Sequence, residues 1–368
     1  MNNNIKICLY IVINIIMQIN IEKYKNKGLV GLENLGNTCF LNSCIQIINN
    51  TVELNCFFDS NKYQKFSRDD VPEASIINEW EDLRKVMWSG NGVVAPRKFV
   101  NSVQKIAKQK NRDIFTGWVQ NDLPEFLQFF IECIHNTISR GVNININGNA
   151  ENEMDKLAIK CYSMLRDVYK KEYSEILEYF YGISFSELIS NTNGKQLSVK
   201  PESYFMVDLP VVSQKGGAKD LHDCFKILTE PEYLEGDNAW YNEDTKKKEN
   251  VKKQHSFWNF PNLLVISLKR FSPDGSQKMT NMIEFPINNL DLSRYVRGYN
   301  ANSYVYDLFG VCNHVGGVSG GHYTAFVKNI ENNWVHYNDH IVEKVKNPKV
   351  IITPMAYCLF YRKKNNLL

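Results

Sequence analysis

The chain has 368 residues, 43% of them hydrophobic and 23% charged, enough to bury a large core in one multi-lobed domain or in two. Its 43 basic residues against 40 acidic ones leave a net charge of only +3, which removes nucleic-acid binding by bulk charge as a function class. Nine cysteines lie scattered with no C-x-x-C pair, so neither a disulfide framework nor a cysteine-rich zinc site is signalled, and a reducing compartment fits.

Near the amino terminus, Ile7 to Met17 (ICLYIVINIIM) is almost entirely apolar behind Lys6. It is too short for a bilayer, which needs about 20 residues. It has the length of a signal-peptide apolar region, but a single charge precedes it and no small-x-small cleavage site follows. The expectation is an extra strand or helix, or a segment absent from a product started at Met17. Residues 1–27 are accordingly read as an apolar extension, and 28–365 as the folded domain.

Gly31 to Gln46 (GLENLGNTCFLNSCIQ) places Cys39 where a turn hands over to an amphipathic helix. Gly36, Asn37 and Thr38 are turn and cap formers. Phe40, Cys44, Ile47 and Ile48 then recur at helical spacing, with Asn42, Ser43, Asn49 and Asn50 on the other face. The unpaired N–H groups of a first helical turn favour a thiolate, so Cys39 is a candidate nucleophile. Asn34, five residues upstream, is placed to donate to an oxyanion beside that sulfur. The plainer alternative is a buried cysteine on an ordinary helix.

Ile76 to Trp88, Pro96 to Lys108 and Leu123 to Ile138 read as helices, so the first third is mostly helical. Asn121 or Asp122 can cap the last of these, with Pro124 in its first turn and Glu125 at the capping-box interval. Capping alone, or a carboxylate pair that receives a basic peptide, both fit Asp122 and Glu125. Val142 to Asn152 reads as a loop, and a helical pattern runs from Met154 towards Phe180 and Gly182.

Beyond it the period becomes two. Ser203 to Val212, Leu263 to Phe271, Leu308 to His314, His322 to Lys328, Trp334 to Asn338 and Ala356 to Arg362 read as strands. Helices first and an antiparallel sheet after make an α+β arrangement with a cleft between two lobes. No internal repeat is visible, and the basic run Lys246 to Lys253 (KKKENVKK) reads as a solvated loop.

A reactive cysteine needs a base, and His322 opens a strand after a glycine-rich stretch (Gly316, Gly317, Gly320, Gly321) that reads as a flexible lid over a groove. A turn at Ile330 to Asn333 would fold Trp334 to Asn338 back beside it. An even pairing register puts Asn338 on the face of His322, an odd one Asp339; both could hold the imidazole. His314, His322, His336, Asp339 and His340 as metal ligands, or histidines without a role, are the competing readings.

Together these two clusters resemble the ubiquitin-specific protease family, whose cysteine box is similar to GLxNLGNTCFLNSxxQ and whose histidine box is similar to HxG...GHYxA...WxxYND..V. Similar motifs stand in order at Gln120 to Leu127, Phe180 to Leu188, Phe260 to Phe271, Lys278 to Pro286 and Ala356 to Lys363. The resemblance covers nearly all of the chain from Gly28. It implies a papain-like α+β fold with a helical thumb, a sheet-rich palm and extended fingers that grip ubiquitin, whose tail threads between thumb and palm. It implies Cys39 as nucleophile, His322 as base, Asn338 orienting it with Asp339 as helper or substitute, and Asn34 at the oxyanion position. Asp122 and Glu125 match acidic positions that meet the tail's arginines, and Tyr323 would wall the channel.

Many members carry two C-x-x-C pairs that bind zinc in the fingers. Here those positions fall near Ser190, Asn193, Asn242 and Thr245, so no structural zinc is expected, and fingers would be held by strand pairing. No cofactor is implied. The expected activity is thiol-dependent hydrolysis after the terminal glycine of ubiquitin, with ubiquitin and its conjugates as partners. A ubiquitin-binding module without catalysis, or a protease for another ubiquitin-like modifier, are the alternatives. A monomer in the cytosol or nucleus is expected.

Overall fold

The computed structural model describes residues 6–9, 21–112, 114–117, 119–213, 216–318 and 320–364. The chain opens with strands β1 (Lys6–Leu9) and β2 (Val30–Leu32), the latter leading into helix α1 (Cys39–Asn49). Helices α2 (Val52–Asp59) and α3 (Ala74–Ser89), strand β3 (Gly92–Val94), and helices α4 (Arg97–Gln109) and α5 (Leu123–Ile138) complete the thumb. The stretch expected to be a loop contains β4 (Ile144–Asn147), which pairs antiparallel with β1. Part of the amino-terminal extension is thus a strand; its positions 10–20 lie outside the described residues.

Helix α6 (Glu153–Tyr169) stops short of the run expected towards Gly182, and a separate α7 (Glu175–Phe180) follows. Between them Tyr173, fully buried, exchanges both backbone hydrogen bonds with Arg140, at 2.9 and 2.7 Å. That pairing is incompatible with a continuing helical ladder.

The second half is a succession of strands. β5 (Gly182–Ser190), β6 (Gln196–Tyr204), β7 (Met206–Pro210), β8 (Val212–Ser213) and β9 (Gly216–Gly217) precede α8 (Leu221–Thr229). β10 (Glu232–Leu234), β11 (Trp240–Asn242), β12 (Lys247–Glu249), β13 (Val251–Asn259) and β14 (Leu263–Lys269) follow. β15 (Leu290–Asp291), β16 (Val305–Gly317), β17 (Gly320–Lys328), β18 (Trp334–Asn338), β19 (Ile341–Lys344) and β20 (Ala356–Lys363) end the chain.

The palm is one sheet in the order β19-β18-β17-β16-β20-β14-β7, with β15 on β16. All its pairs are antiparallel except β7 with β14. The strand expected over Ser203 to Val212 divides at Phe205, which is buried against Phe180 with ring centroids 5.9 Å apart. The fingers are a second sheet, β10-β13-β5-β6. The basic run is therefore not a loop: it forms β12 and the start of β13, its lysines solvated while Val251 turns inward.

At the fingertips Asn242 Nδ2 and Thr245 Oγ1 both donate to Glu249 Oε1, at 2.7 and 2.8 Å. Ser190 Oγ and Asn193 Oδ1 accept turn amides at 3.2 and 3.0 Å. Among the described residues no group of three or more His, Cys, Asp or Glu side chains is arranged to hold a metal ion. Among them, too, no helix is long and apolar enough to cross a membrane.

Helix α1 lies between α5 and the palm, and all eleven of its residues are buried. The sequence suggested a polar outer face; that face is instead buried, with Asn42 and Gln46 turned against β2, while the Asn49 side-chain amide has no hydrogen-bond partner among the described residues. Gln46 Nε2 donates to the Val30 carbonyl at 2.8 Å, and Asn42 Nδ2 to the carbonyls of Leu32 and Glu33 at 3.4 and 3.2 Å. Burial without such partners would cost several kcal/mol, roughly 2–7 per group. These bonds pin the entry strand to the helix it feeds.

Candidate active site

The two motif clusters meet because β2 packs on the turn between β18 and β19. The Leu32 amide donates to the Asp339 carbonyl at 2.9 Å, and a Cβ on Gly31 would lie 2.3 Å from the His340 carbonyl oxygen. Only glycine permits that approach. Asp339 itself takes a left-handed backbone, φ 49°, which lets the chain turn as it leaves β18.

Cys39 is the first residue of α1 and is buried, and the Tyr323 backbone amide stands at the sulfur. The sequence leads one to expect a thiolate there. Burial nevertheless pushes the thiol's pKa up; the amides of Tyr323, Phe40 and Cys39 itself pull it down, and the Asp339 charge pushes it up again, leaving a net rise. The resting sulfur is held as the thiol because desolvation and a nearby anion outweigh the helix-terminal amides.

Ala325 pairs with Tyr337 and Lys328 with Trp334 across β17 and β18, an even register that carries Asn338 to the face of His322. Their contact is direct: His322 Nε2 and Asn338 Oδ1 are 2.7 Å apart. A carboxamide oxygen only accepts, so the ring proton sits on Nε2 and Nδ1 keeps its lone pair. Asp339 Oδ2 is farther, 4.0 Å from His322 Nε2, and its oxygens are engaged elsewhere. Asn42 Nδ2 donates to Oδ1 at 2.8 Å and Asn34 Nδ2 to Oδ2 at 3.0 Å.

Asn34 is held at both ends. Its Oδ1 accepts from the amides of Gly36 and Thr38 at 3.0 and 3.2 Å, while one of its two Nδ2 hydrogens goes to Asp339 and the other has no acceptor among the described residues.

A cleft of about 840 Å³ opens between the start of α5 and the palm, walled by Asp122, Phe271, His314, Tyr323 and Tyr357. Cys39 and His322 do not line it; Tyr323 joins the two places, its ring in the cleft and its amide at the sulfur. Asp122 occupies the N-cap position of α5 but makes no side-chain capping bond. Its carboxylate accepts instead from the Tyr323 hydroxyl, at 3.2 Å, and from that of Tyr357. Burial raises its pKa against the pull of the two hydroxyls, and the charge of exposed Glu125 adds to the rise. The cleft thus carries an acidic end over an aromatic floor.

The four glycines expected to form a flexible lid are paired across a hairpin. Gly316 pairs with Gly321 and Gly317 with Gly320. Gln120, just ahead of α5, donates to the Gly321 carbonyl and accepts from its amide, holding thumb to palm beside His322. Of the histidines weighed as metal ligands, His314 gives Nδ1 to Lys278 at 2.9 Å and His336 faces Glu343 at 3.8 Å. Sequence reasoning did not single out Asn42, Gln120 and Tyr357 for this site, and weighed His314 only as a metal ligand. Asn42, one helical turn after Cys39, and Gln120, two residues before Asp122, carried the available signal.

The family model for the ubiquitin carboxyl-terminal hydrolase matches residues 30–361. The chain is 33% identical over 343 residues to ubiquitin carboxyl-terminal hydrolase 2 of Homo sapiens, covering 91% of this chain and 55% of that protein. It is 31% identical over 346 residues to ubiquitin carboxyl-terminal hydrolase Usp2 of Drosophila melanogaster, covering 92% and 35%. The chain thus spans only about half, or less, of those relatives' length. Among solved structures it is similar to a SAGA DUB module of Ubp8, Sgf11, Sus1 and Sgf73 bound to monoubiquitin, with TM-score 0.69, 22% identity, and 93% and 70% of the two chains covered. The same module bound to ubiquitin aldehyde gives TM-score 0.69 at 21% identity, with 93% and 71% covered. The chain belongs to the ubiquitin carboxyl-terminal hydrolase family.

Proposed function

We propose that this protein is a thiol-dependent deubiquitinase that hydrolyses the isopeptide or peptide bond after the terminal glycine of ubiquitin. The observation that carries the proposal is the meeting of two motif clusters: a cysteine at the start of a buried helix beside a strand whose histidine has one nitrogen held by Asn338. His322 Nδ1 takes the Cys39 proton as the sulfur attacks the glycine carbonyl. The free Nδ2 hydrogen of Asn34 is given to the resulting oxyanion. Collapse expels the amine, which takes the proton from the imidazolium and leaves a thioester. Water, deprotonated by the same nitrogen, then releases ubiquitin and restores the thiol.

In this reading Asn338 orients the base, while Asp339 acts mainly on the other half of the site, aiming Asn34 and bracing Asn42. The buried, protonated resting thiol keeps the enzyme quiet until a tail excludes water and the proton moves to His322. Asp122 and Glu125 receive the basic residues of the tail, and Tyr323 lines its path; a diglycine end suits a passage too narrow for side chains. Ubiquitin and its conjugates are the partners, and a monomer in the reducing cytosol or nucleus agrees with the eight cysteines from Cys39 to Cys358, all of them free. The test is turnover of a fluorogenic amide at the carboxyl terminus of ubiquitin. Activity that Cys39→Ala abolishes supports the assignment; activity that survives the substitution rejects it.

A further inference from the structure

The palm side of the cleft contains a cation that the chemistry above does not use. Lys278 stands at the neck of the loop that Phe271 and Lys278 close by a backbone bridge. Its Nζ donates to three acceptors at the end of β16: His314 Nδ1 at 2.9 Å, the His314 carbonyl at 2.8 Å and the Gly316 carbonyl at 3.1 Å. Among the described residues no carboxylate forms an ion pair with it; the nearby charge that acts on it is that of Arg270. An ammonium spends three donors well only on a tripod of acceptors, and here the tripod is one strand end.

What that strand end carries is the cleft itself. His314 is buried, and an ammonium at Nδ1 fixes the ring as the neutral tautomer with its proton on Nε2. Burial, with Lys278 adding to it, brings its pKa down to about 4. The ring lies tilted on that of Tyr323, centroids 4.6 Å apart, and also borders Phe271 and Tyr357 at 5.8 and 5.9 Å. Tyr323 in turn bonds Asp122. On its other edge His314 Nε2 sits so close to the hairpin that a Cβ on Gly321 would fall 2.4 Å from it. Gly321 is the residue before His322.

We propose that Lys278 is a positioning residue for the substrate tail: from behind the wall it holds His314 and the Gly316 turn in the one arrangement that leaves the cleft open and its aromatic floor level. It touches no reacting atom. The role rests on the deubiquitinase reading and adds to it a residue whose loss affects binding of the tail rather than the sulfur's chemistry.

The experiment is Lys278→Met in the full chain, with Lys278→Arg as companion, on the ubiquitin carboxyl-terminal amide. Lys278→Met raises KM on the order of tenfold and leaves kcat within about twofold, the pattern of lost ground-state positioning. Alkylation of Cys39 by iodoacetamide is unchanged, and the His314 titration, followed by NMR, moves up towards its ordinary range. Lys278→Arg, which keeps donors for the two carbonyls, recovers part of the KM. An unchanged KM with an unchanged His314 titration overturns the role. So does a fall of KM-independent turnover, alkylation rate and melting temperature together in both variants, which marks a merely structural lysine. If the wild-type chain leaves the amide intact while Cys39 alkylates normally, the deubiquitinase reading itself fails, and this role with it.

Discussion

Asp339 is where the two halves of the site meet, and replacing it with asparagine separates two effects of its charge. Asp339 Oδ2 stands 4.0 Å from His322 Nε2, but the His322 side chain is 42% exposed, so water screens that pair and the larger effect of the charge lies in the two bonds Asp339 accepts. Turning the charge-assisted bonds from Asn34 and Asn42 into neutral ones removes roughly 1 kcal/mol from the aim of the oxyanion donor. Asp339→Asn therefore lowers kcat/KM by roughly five- to tenfold. The resting thiol moves the other way. Asp339 is one of the causes that raise the Cys39 pKa, so its neutralisation lowers that pKa and increases the thiolate present at any mildly alkaline pH. Iodoacetamide, scored by intact mass, then alkylates Cys39 faster in the variant while the ubiquitin amide is cleaved more slowly. A variant that keeps most of its turnover, or alkylates no faster than wild type, refutes the assignment of Asp339 to both halves.

Asp122→Asn keeps an acceptor for the hydroxyls of Tyr323 and Tyr357 but loses the charge. Because burial raises the Asp122 pKa, the folded state binds this proton more tightly than the unfolded chain, and the wild type loses stability as pH rises above 3.8 through the raised value. At neutral pH the variant melts no lower than wild type while its KM for ubiquitin substrates rises on the order of tenfold; a lower melting point with unchanged KM would remove Asp122 from recognition. Asn42→Ala strips donors from Leu32, Glu33 and Asp339 inside the core and costs about 1–3 kcal/mol in urea unfolding, whereas a loss below about 0.5 kcal/mol would show those bonds to be idle.

Periodicity located the elements of the site well and their mutual register poorly. The 3.6-residue pattern after Thr38 and the period-two stretches from His322 and Trp334 are local signals: α1 and β18 start where those patterns start, and β17 starts two residues earlier, at Gly320. The choice between Asn338 and Asp339 was not local. It depends on the turn at Asn329 to Asn333, where the Asn329 side chain accepts two amides and Asn332 is left-handed, and this fixes the even register. Burial of the polar face of α1 was illegible for a similar reason: Asn42 and Gln46 look solvent-facing until β2 is laid against them. The finger strands hid because β5 and β13 mix polar and apolar residues on a sheet with little core, and the lysines of β12 mimic a loop. The thiol's charge state misled most. A helix amino terminus argues for a thiolate, but sequence does not show how deeply the sulfur lies or that Asp339 comes back beside it.

The central claim, one sulfur activated by one imidazole at the end of a ubiquitin-tail cleft, is tested most directly by ubiquitin carrying an electrophile in place of its terminal carboxylate. Incubated with the full chain, it is predicted to add the mass of one ubiquitin at Cys39 and nowhere else, with Cys39→Ala unlabelled and His322→Ala labelled far more slowly. Labelling at another cysteine, or reversible binding without any adduct in a folded wild-type protein, would contradict it.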